Sequence, residues 1–260
     1  MKRLLFLLLL IPVLSFGQSV YTYGGDVVTY SGNIAIKNLL DAVAFNYNGV
    51  DQYSIMADNQ ALNPGNADYS YGCWMKLNAA GAGYILAKNS TANGFFGLYC
   101  NTGASVYFNF RTDNAGGTSY PGYTGISADY ANWHHYFFVY DYTNHKYYVY
   151  TDGVLQNTGG TDFLGDLPQL TSFHEFYLGA GSNSNGVTQG YQPKNCAIKD
   201  VQIYKGKALS STDILTIYGF GAAAGITNRW TCNLVDGTAD LIGGLDLVQI
   251  GSPITVIFDP

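Results

Sequence analysis

The sequence predicts an all-β protein, a two-sheet antiparallel sandwich with one short helix near the C-terminus. Three observations lead there. From Ser19 to about Leu209 no segment sustains helical periodicity, while short runs rich in Tyr, Phe, Val and Ile recur between clusters of Gly, Asn, Asp and Ser. Within several runs the side chains alternate between two faces, as a half-buried strand requires. The chain also holds 32 Gly and 23 Tyr among 260 residues, a stock that suits turns and pleated surfaces better than a helical bundle.

The first eighteen residues read as a signal peptide. Lys2 and Arg3 precede the apolar run LLFLLLLIPVL, and Ser15, Phe16 and Gly17 form a small-residue cleavage region. The apolar run is short for a bilayer span, and no later segment approaches about 18 uninterrupted apolar residues. The expectation is a secreted protein, periplasmic or extracellular. About 240 mature residues suit one large β-domain. The formal charge of −6 becomes −8 once Lys2 and Arg3 are removed, which argues against nucleic acid and anionic lipid as partners.

Residues 19–42 are mixed and read as a lead-in segment or linker. The clearest strands are YSYGCWMKL (69–77), GYILAK (83–88), GFFGLYC (94–100), SVYFNFRT (105–112), NWHHYFFVYDY (132–142), HKYYVYTDG (145–153), HEFYLG (174–179) and NCAIKDVQIY (195–204). Between 142 and 145 the linker is short enough for a tight hairpin. In SVYFNFRT, Phe108 and Phe110 share one face, and Tyr107, Asn109 and Arg111 share the other. HHYFFVYD is apolar or aromatic on both faces, the pattern of a strand covered on both sides. ALSSTDILTIY (208–218) is the helix, with Ser210 or Ser211 as its cap, Asp213 near its positive end, and Ile214, Leu215 and Tyr218 along one side. GFGAAAG (219–225) reads as a flexible link. Residues 221–260 are too few to stand alone and are expected to dock as strands on the same sandwich.

Four pieces, in order, resemble the laminin G-like, concanavalin A-like lectin superfamily. FNYNGVDQYSI (45–55) with YGCWMKL (71–77) resembles its opening strands. NWHHYFFVYD followed by YYVYTDGVL (147–155) resembles its Trp-His-His, Tyr-Asp and Asp-Gly signature. FYLGAG (176–181) resembles the short strand ending in Leu-Gly. AIKDVQIYKGKALSSTDILTIY (197–218) resembles the closing strand and helix, with Ala197 where Gly is usual and Lys199 where an acid is usual. The resemblance covers about residues 43–220 and implies a jelly-roll sandwich. RWTCNLVDGTADLIGGLDL (229–247) resembles a stretch that normally opens such domains, which suggests a circularly shifted edge strand.

The resemblance also brings glycoside hydrolases into view, whose retaining members on this fold use Glu-x-Asp-x-x-Glu. This chain cannot present that motif, because Glu175 is its only Glu. His134 and His135 lie in the framework signature and alternate across a strand, so they do not share a site. Asp152-Gly153 reads as turn chemistry, and Trp74 and Trp133 as core. No Gly-x-Ser-x-Gly elbow supports a serine nucleophile.

Ligand binding asks for less: aromatic faces for sugar C–H patches and polar groups for hydroxyls. Tyr107, Asn109 and Arg111 on one strand face, Tyr120 and Tyr123 in GGTSYPGYTG (116–125), and Asn183, Asn185, Gln189 and Tyr191 in GSNSNGVTQGYQPKN (181–195) supply these types. The resemblance implies Ca²⁺ as a candidate ion at the sandwich rim, with Asp58 and Asn59 as the local ligands; no cofactor is required. Cys73, Cys100, Cys196 and Cys232 permit two disulfides with three connectivities, or four buried thiols, and their spacing matches no zinc pattern. The expected function is a non-catalytic module recognising a polysaccharide or glycoprotein. The alternatives are a protein-binding adhesion or surface-structural protein and, behind both, a polysaccharide-degrading enzyme.

Overall fold

The computed structural model describes residues 18–23, 26–31, 43–89, 95–103, 105–111, 126–157, 161–162, 175–181, 193–219, 222–232, 239–252 and 254–257. Side chains are not described at 18–23, 26–31, 89, 95, 109–111, 161–162, 254–255 and 257. The expected signal peptide, residues 1–18, thus lies outside the described residues except for Gln18. Within 19–42, strands β1 (Gln18–Tyr23) and β2 (Asp26–Ser31) form a two-stranded antiparallel hairpin.

Two antiparallel sheets make the body, a β-sandwich jelly roll with one short α-helix among the described residues. The first sheet runs β12 (Val154–Leu155), β11 (Lys146–Thr151), β10 (His134–Asp141), β5 (Tyr69–Leu77), β15 (Asn195–Lys205), β3 (Val43–Asn48), β18 (Ile254–Ile257). β13 (Thr161–Asp162) pairs with β11, and β16 (Asn228–Trp230) with β15. The second sheet runs β17 (Val248–Ile250), β4 (Tyr53–Met56), β14 (Phe176–Leu178), β6 (Gly83–Asn89), β7 (Phe95–Cys100), β8 (Ser105–Arg111), β9 (Ile126–Ser127). The segment after residue 221 therefore gives strands to both sheets.

Period-two alternation decides what each strand buries. Tyr69, Tyr71, Cys73, Met75 and Leu77 of β5 face inward with Tyr136, Phe138 and Tyr140 of β10. They meet Phe96 and Leu98 of β7 and Phe108 of β8 from the second sheet. The Tyr71 ring lies 5.0 Å from Phe96, 5.8 Å from Phe108 and 5.4 Å from Phe138, tilted or edge-on, as aromatic quadrupoles prefer. Its hydroxyl donates to the Gly97 carbonyl at 3.0 Å, so the inter-sheet contact is satisfied as well as packed.

The outer face of the first sheet is covered too. Phe137, Val139, Tyr150 and Tyr204 pack with Leu209, Ile214 and Ile217 of the helix region. That helix, α1 (Ser211–Tyr218), starts in a capping box: the Asp213 N–H donates to Ser210 Oγ at 3.1 Å, and the Ser210 N–H to Asp213 Oδ2 at 3.1 Å. Its buried stripe is Ile214 and Ile217. Leu215 was expected there but is 57 % exposed, while Tyr218, at the margin, stacks on Trp74 at 5.3 Å. Gly72 gives the Phe137 ring passage over β5, since a Cβ there would overlap that ring.

Between Lys199 and Gln202 the β15–β5 register shifts, and Asp200 takes a positive φ of 51°. This bulge turns the Asp200 carboxylate toward β16, where Arg229 Nε donates to it at 2.7 Å. Gln202 Nε2 donates to the same carboxylate at 2.8 Å, and Tyr204 donates to Gln202 at 2.7 Å.

All four cysteines are buried free thiols; no disulfide joins them. They serve as small apolar groups in the core, at inward positions of β5, β7 and β15 and beside β16. Burial pushes the Cys196 and Cys232 thiols up to about 12.

Two outcomes are expected. Reductant should leave the thermal midpoint unchanged, and an aromatic disulfide probe should titrate the four thiols only after denaturation; fast labelling of the folded protein would contradict the packing. Tyr71→Phe removes the hydroxyl from the inter-sheet contact and should cost about 1–2 kcal/mol in urea unfolding; a change of only a few tenths would show that this hydrogen bond is not structural.

Candidate functional site

The alternation that sends Phe96, Leu98, Cys100, Val106 and Phe108 inward leaves a second set of side chains on the outer face of the second sheet. Tyr84 of β6, Tyr99 of β7 and Tyr107 of β8 stand in cross-strand register. Their rings are 4.8 Å apart between Tyr84 and Tyr99, and 6.5 Å apart between Tyr99 and Tyr107. Asn101 Nδ2 donates to the Tyr107 hydroxyl at 2.6 Å, and Asn101 Oδ1 accepts the Ser105 N–H at 2.9 Å, so the β7–β8 turn holds that ring in place. A parallel row in register runs Ile55, Tyr177, Ala87, Gly97, Asn109. Tyr53 lies 6.1 Å from Tyr177.

Size and exposure shape this face. Ala87 and Gly97, both buried, continue the Tyr177 row across β6 and β7. Gly97 is constrained, since a Cβ would come 2.8 Å from the Leu86 carbonyl oxygen. Tyr84 and Tyr177 are buried, whereas Tyr53, Tyr99 and Tyr107 are partly open to solvent. Burial pushes the Tyr99 hydroxyl up, so it remains protonated and able both to donate and to accept. The face offers aromatic surfaces and neutral hydroxyls. The one glutamate, Glu175, lies beside it and receives a long 3.5 Å contact from the Tyr177 hydroxyl.

Of the residues expected from sequence, Tyr107 stands on this face. Asn109 and Arg111 lie on the backbone of β8 in the same alternation, their side chains outside the described residues. Tyr120, Tyr123, Asn183, Asn185, Gln189 and Tyr191 also lie outside the described residues. Tyr84, Tyr99, Tyr177 and Tyr53 were missed. The signal was present in GYILAK and GFFGLYC, where period-two counting opposes Tyr99 and Gly97 to Phe96 and Leu98.

Asp58 and Asn59 sit after β4 at the sheet's end, with their oxygens turned to protein donors. Lys88 Nζ, on a buried side chain, lies 2.6 Å from Asp58 Oδ1, and Gln60 Nε2 donates to Asp58 Oδ2 at 2.8 Å. Asn59 Oδ1 caps the 3-10 turn Gln60–Leu62 through the Ala61 N–H at 2.9 Å. An ammonium against the carboxylate is a poor neighbour for a divalent cation, so these two residues do not fit a Ca²⁺ site in this arrangement. Among the described residues no group of three or more His, Cys, Asp or Glu is placed to hold a metal.

His134 and His135 part to opposite faces of β10. His135 is fully buried between Trp74 and Phe137, and burial lowers its imidazole to about 3. His134 lies between two carboxylates, with Nδ1 2.6 Å from Asp152 and Nε2 3.1 Å from Asp129. Asp152 occupies the turn after β11 at a φ of 52°. Trp74 and Trp133 are buried with Ala44 and Ala197 on the outer face of the first sheet.

The fold is shared with solved structures at low identity. A heptameric SAP-like pentraxin from Limulus polyphemus is 15% identical with a TM-score of 0.57, over 84% of this chain and 96% of that one. A Bacteroides ovatus protein classed provisionally as carbohydrate-binding is 13% identical with a TM-score of 0.62; the match takes in 92% of this chain but only 65% of the other. Part of a Trypanosoma rangeli sialidase, 22% of its length, gives 15% identity and a TM-score of 0.41, too weak a likeness to argue from. No curated protein matches the sequence. Residues 48–215 match the family model of the concanavalin A-like lectin/glucanases superfamily, and the chain belongs to that superfamily.

Proposed function

We propose that the protein is a secreted, non-catalytic module that binds a polysaccharide or glycoprotein on the outer face of its second sheet. The observation that carries this reading is the register of Tyr84, Tyr99 and Tyr107 across three adjacent strands, with Tyr99 and Tyr107 partly open to solvent. Such a row supplies flat apolar surface to sugar C–H patches and hydroxyls to sugar hydroxyls. Superfamily membership and the Bacteroides ovatus neighbour support the same reading. The N-terminal sequence of Lys2, Arg3, an apolar run and Ser15-Phe16-Gly17 supports secretion. The non-catalytic part rests on chemistry: the single glutamate has no partner acid at glycosidase spacing in sequence.

A glycan array probed with residues 19–260, with Ca²⁺ and with EDTA, tests this. Binding to one polysaccharide class, surviving EDTA and releasing no new reducing ends, is the expected result. Tyr99→Ala and Tyr107→Ala should each weaken it about five- to tenfold, the scale of one aromatic contact, with circular dichroism unchanged. A folded protein that leaves the array blank would sink the carbohydrate reading and turn attention to protein adhesion.

A further inference from the structure

The His134 imidazole touches carboxylates at both ring nitrogens, and the two carboxylates come from different parts of the chain. Asp152 belongs to the turn between β11 and β12. Asp129 belongs to the crossover 128–133, which carries the chain from β9 at the edge of the second sheet to β10 in the first. We propose that His134 is a proton-dependent tie that fastens this crossover to the first sheet when the imidazole is doubly protonated and releases it when one proton leaves. The inference stands apart from the carbohydrate reading.

The geometry carries it. A carboxylate only accepts, so two carboxylates in contact with the two ring nitrogens require an N–H on each, and that is the imidazolium. Neutral imidazole has one N–H, so its other nitrogen would turn a lone pair toward a carboxylate oxygen. Asp152 is the better anchored partner. Its contact is shorter, its Oδ1 accepts the His135 N–H at 2.8 Å, and its own N–H donates to the His135 carbonyl at 2.8 Å. The remaining proton therefore stays at Nδ1, and the contact from Nε2 to Asp129 is the one lost. Asp129 then keeps only its local donors, the N–H groups of Ala131 and Asn132 and the Asn132 amide.

The groups around the ring leave that assignment unopposed. On β10, Tyr136 lies edge-on at 6.0 Å, and on the neighbouring β5 the residue opposite His134 is Met75. The charged groups acting on the ring are Asp152 and Asp129; burial opposes the charge, yet together the carboxylates raise the imidazole above its ordinary range. A raised folded-state midpoint places the full effect below about pH 6.5, the free imidazole value, and removes it as pH rises through the higher folded midpoint.

The test is NMR on the whole mature chain. The His134 ring should titrate above free imidazole, with both nitrogens protonated at the acid limit. After correction for intrinsic rates, amide exchange in residues 129–133 should quicken about tenfold across that midpoint. In Asp129→Asn the His134 midpoint should fall, and exchange in the same segment should lose its pH dependence while the remaining spectrum is retained. His134→Gln should show the fast limit at every pH. A His134 midpoint at or below that of free imidazole, or exchange in 129–133 that ignores the midpoint, would overturn the proposal.

Discussion

The molecule is organised by one requirement: β5 is buried on both sides. Its inward residues meet the second sheet, and its outward Gly72 and Trp74 lie beneath Phe137, the helix and Trp133. A strand covered twice must satisfy its backbone wholly through its neighbours, and it does so with β10 on one side and β15 on the other. The Tyr-rich interior follows from this. Tyr69 and Tyr71 are buried without loss because each hydroxyl reaches a backbone carbonyl, of Leu62 and of Gly97. Each such contact pins the second sheet or its approach to the first.

The bulge in β15 solves a second problem, how to hold a segment that arrives late in the chain. The left-handed residue aims the buried Asp200 carboxylate at Arg229, so the charge is paired where it is buried. Asp240 plays a similar part farther on, accepting the N–H groups of Arg229, Ile242, Gly243 and Leu245 and the Asn228 amide. Two acidic side chains thus organise a region with little apolar core of its own.

Much of the sandwich was legible because period-two alternation is a local signal. The limits of β5, β8 and β15 lie within one residue of the runs read from sequence, and the cap of α1 was narrowed to Ser210 or Ser211, with the reciprocal Ser210–Asp213 bonding shown only by the structure. The helix face was misjudged at Leu215 because the spacing did not show which side of a short helix the sheet would cover. The cysteines left two readings open in the sequence, disulfides or buried thiols, because only packing decides proximity. Of the candidate face, Tyr107 was legible and its companions were not, since Tyr84, Tyr99 and Tyr107 are brought together only by cross-strand register. Asp58 looked available to a cation because nothing local announces Lys88, thirty positions away in sequence.

The contribution of the last forty residues to both sheets bears on how the chain reaches this state. Gln52 donates to the carbonyl of Ser252, 200 residues later, and β3 and β4 find neighbours in β18 and β17 only when the final strands exist. A chain emerging from a ribosome or a translocation pore cannot close its sandwich in instalments. Until those last strands are made, β3 and β4 lack their partners β18 and β17 at the sheet edges. Pairing of β3 with β18 and of β4 with β17 is thus a closure across most of the sequence, the kind of contact that forms slowly.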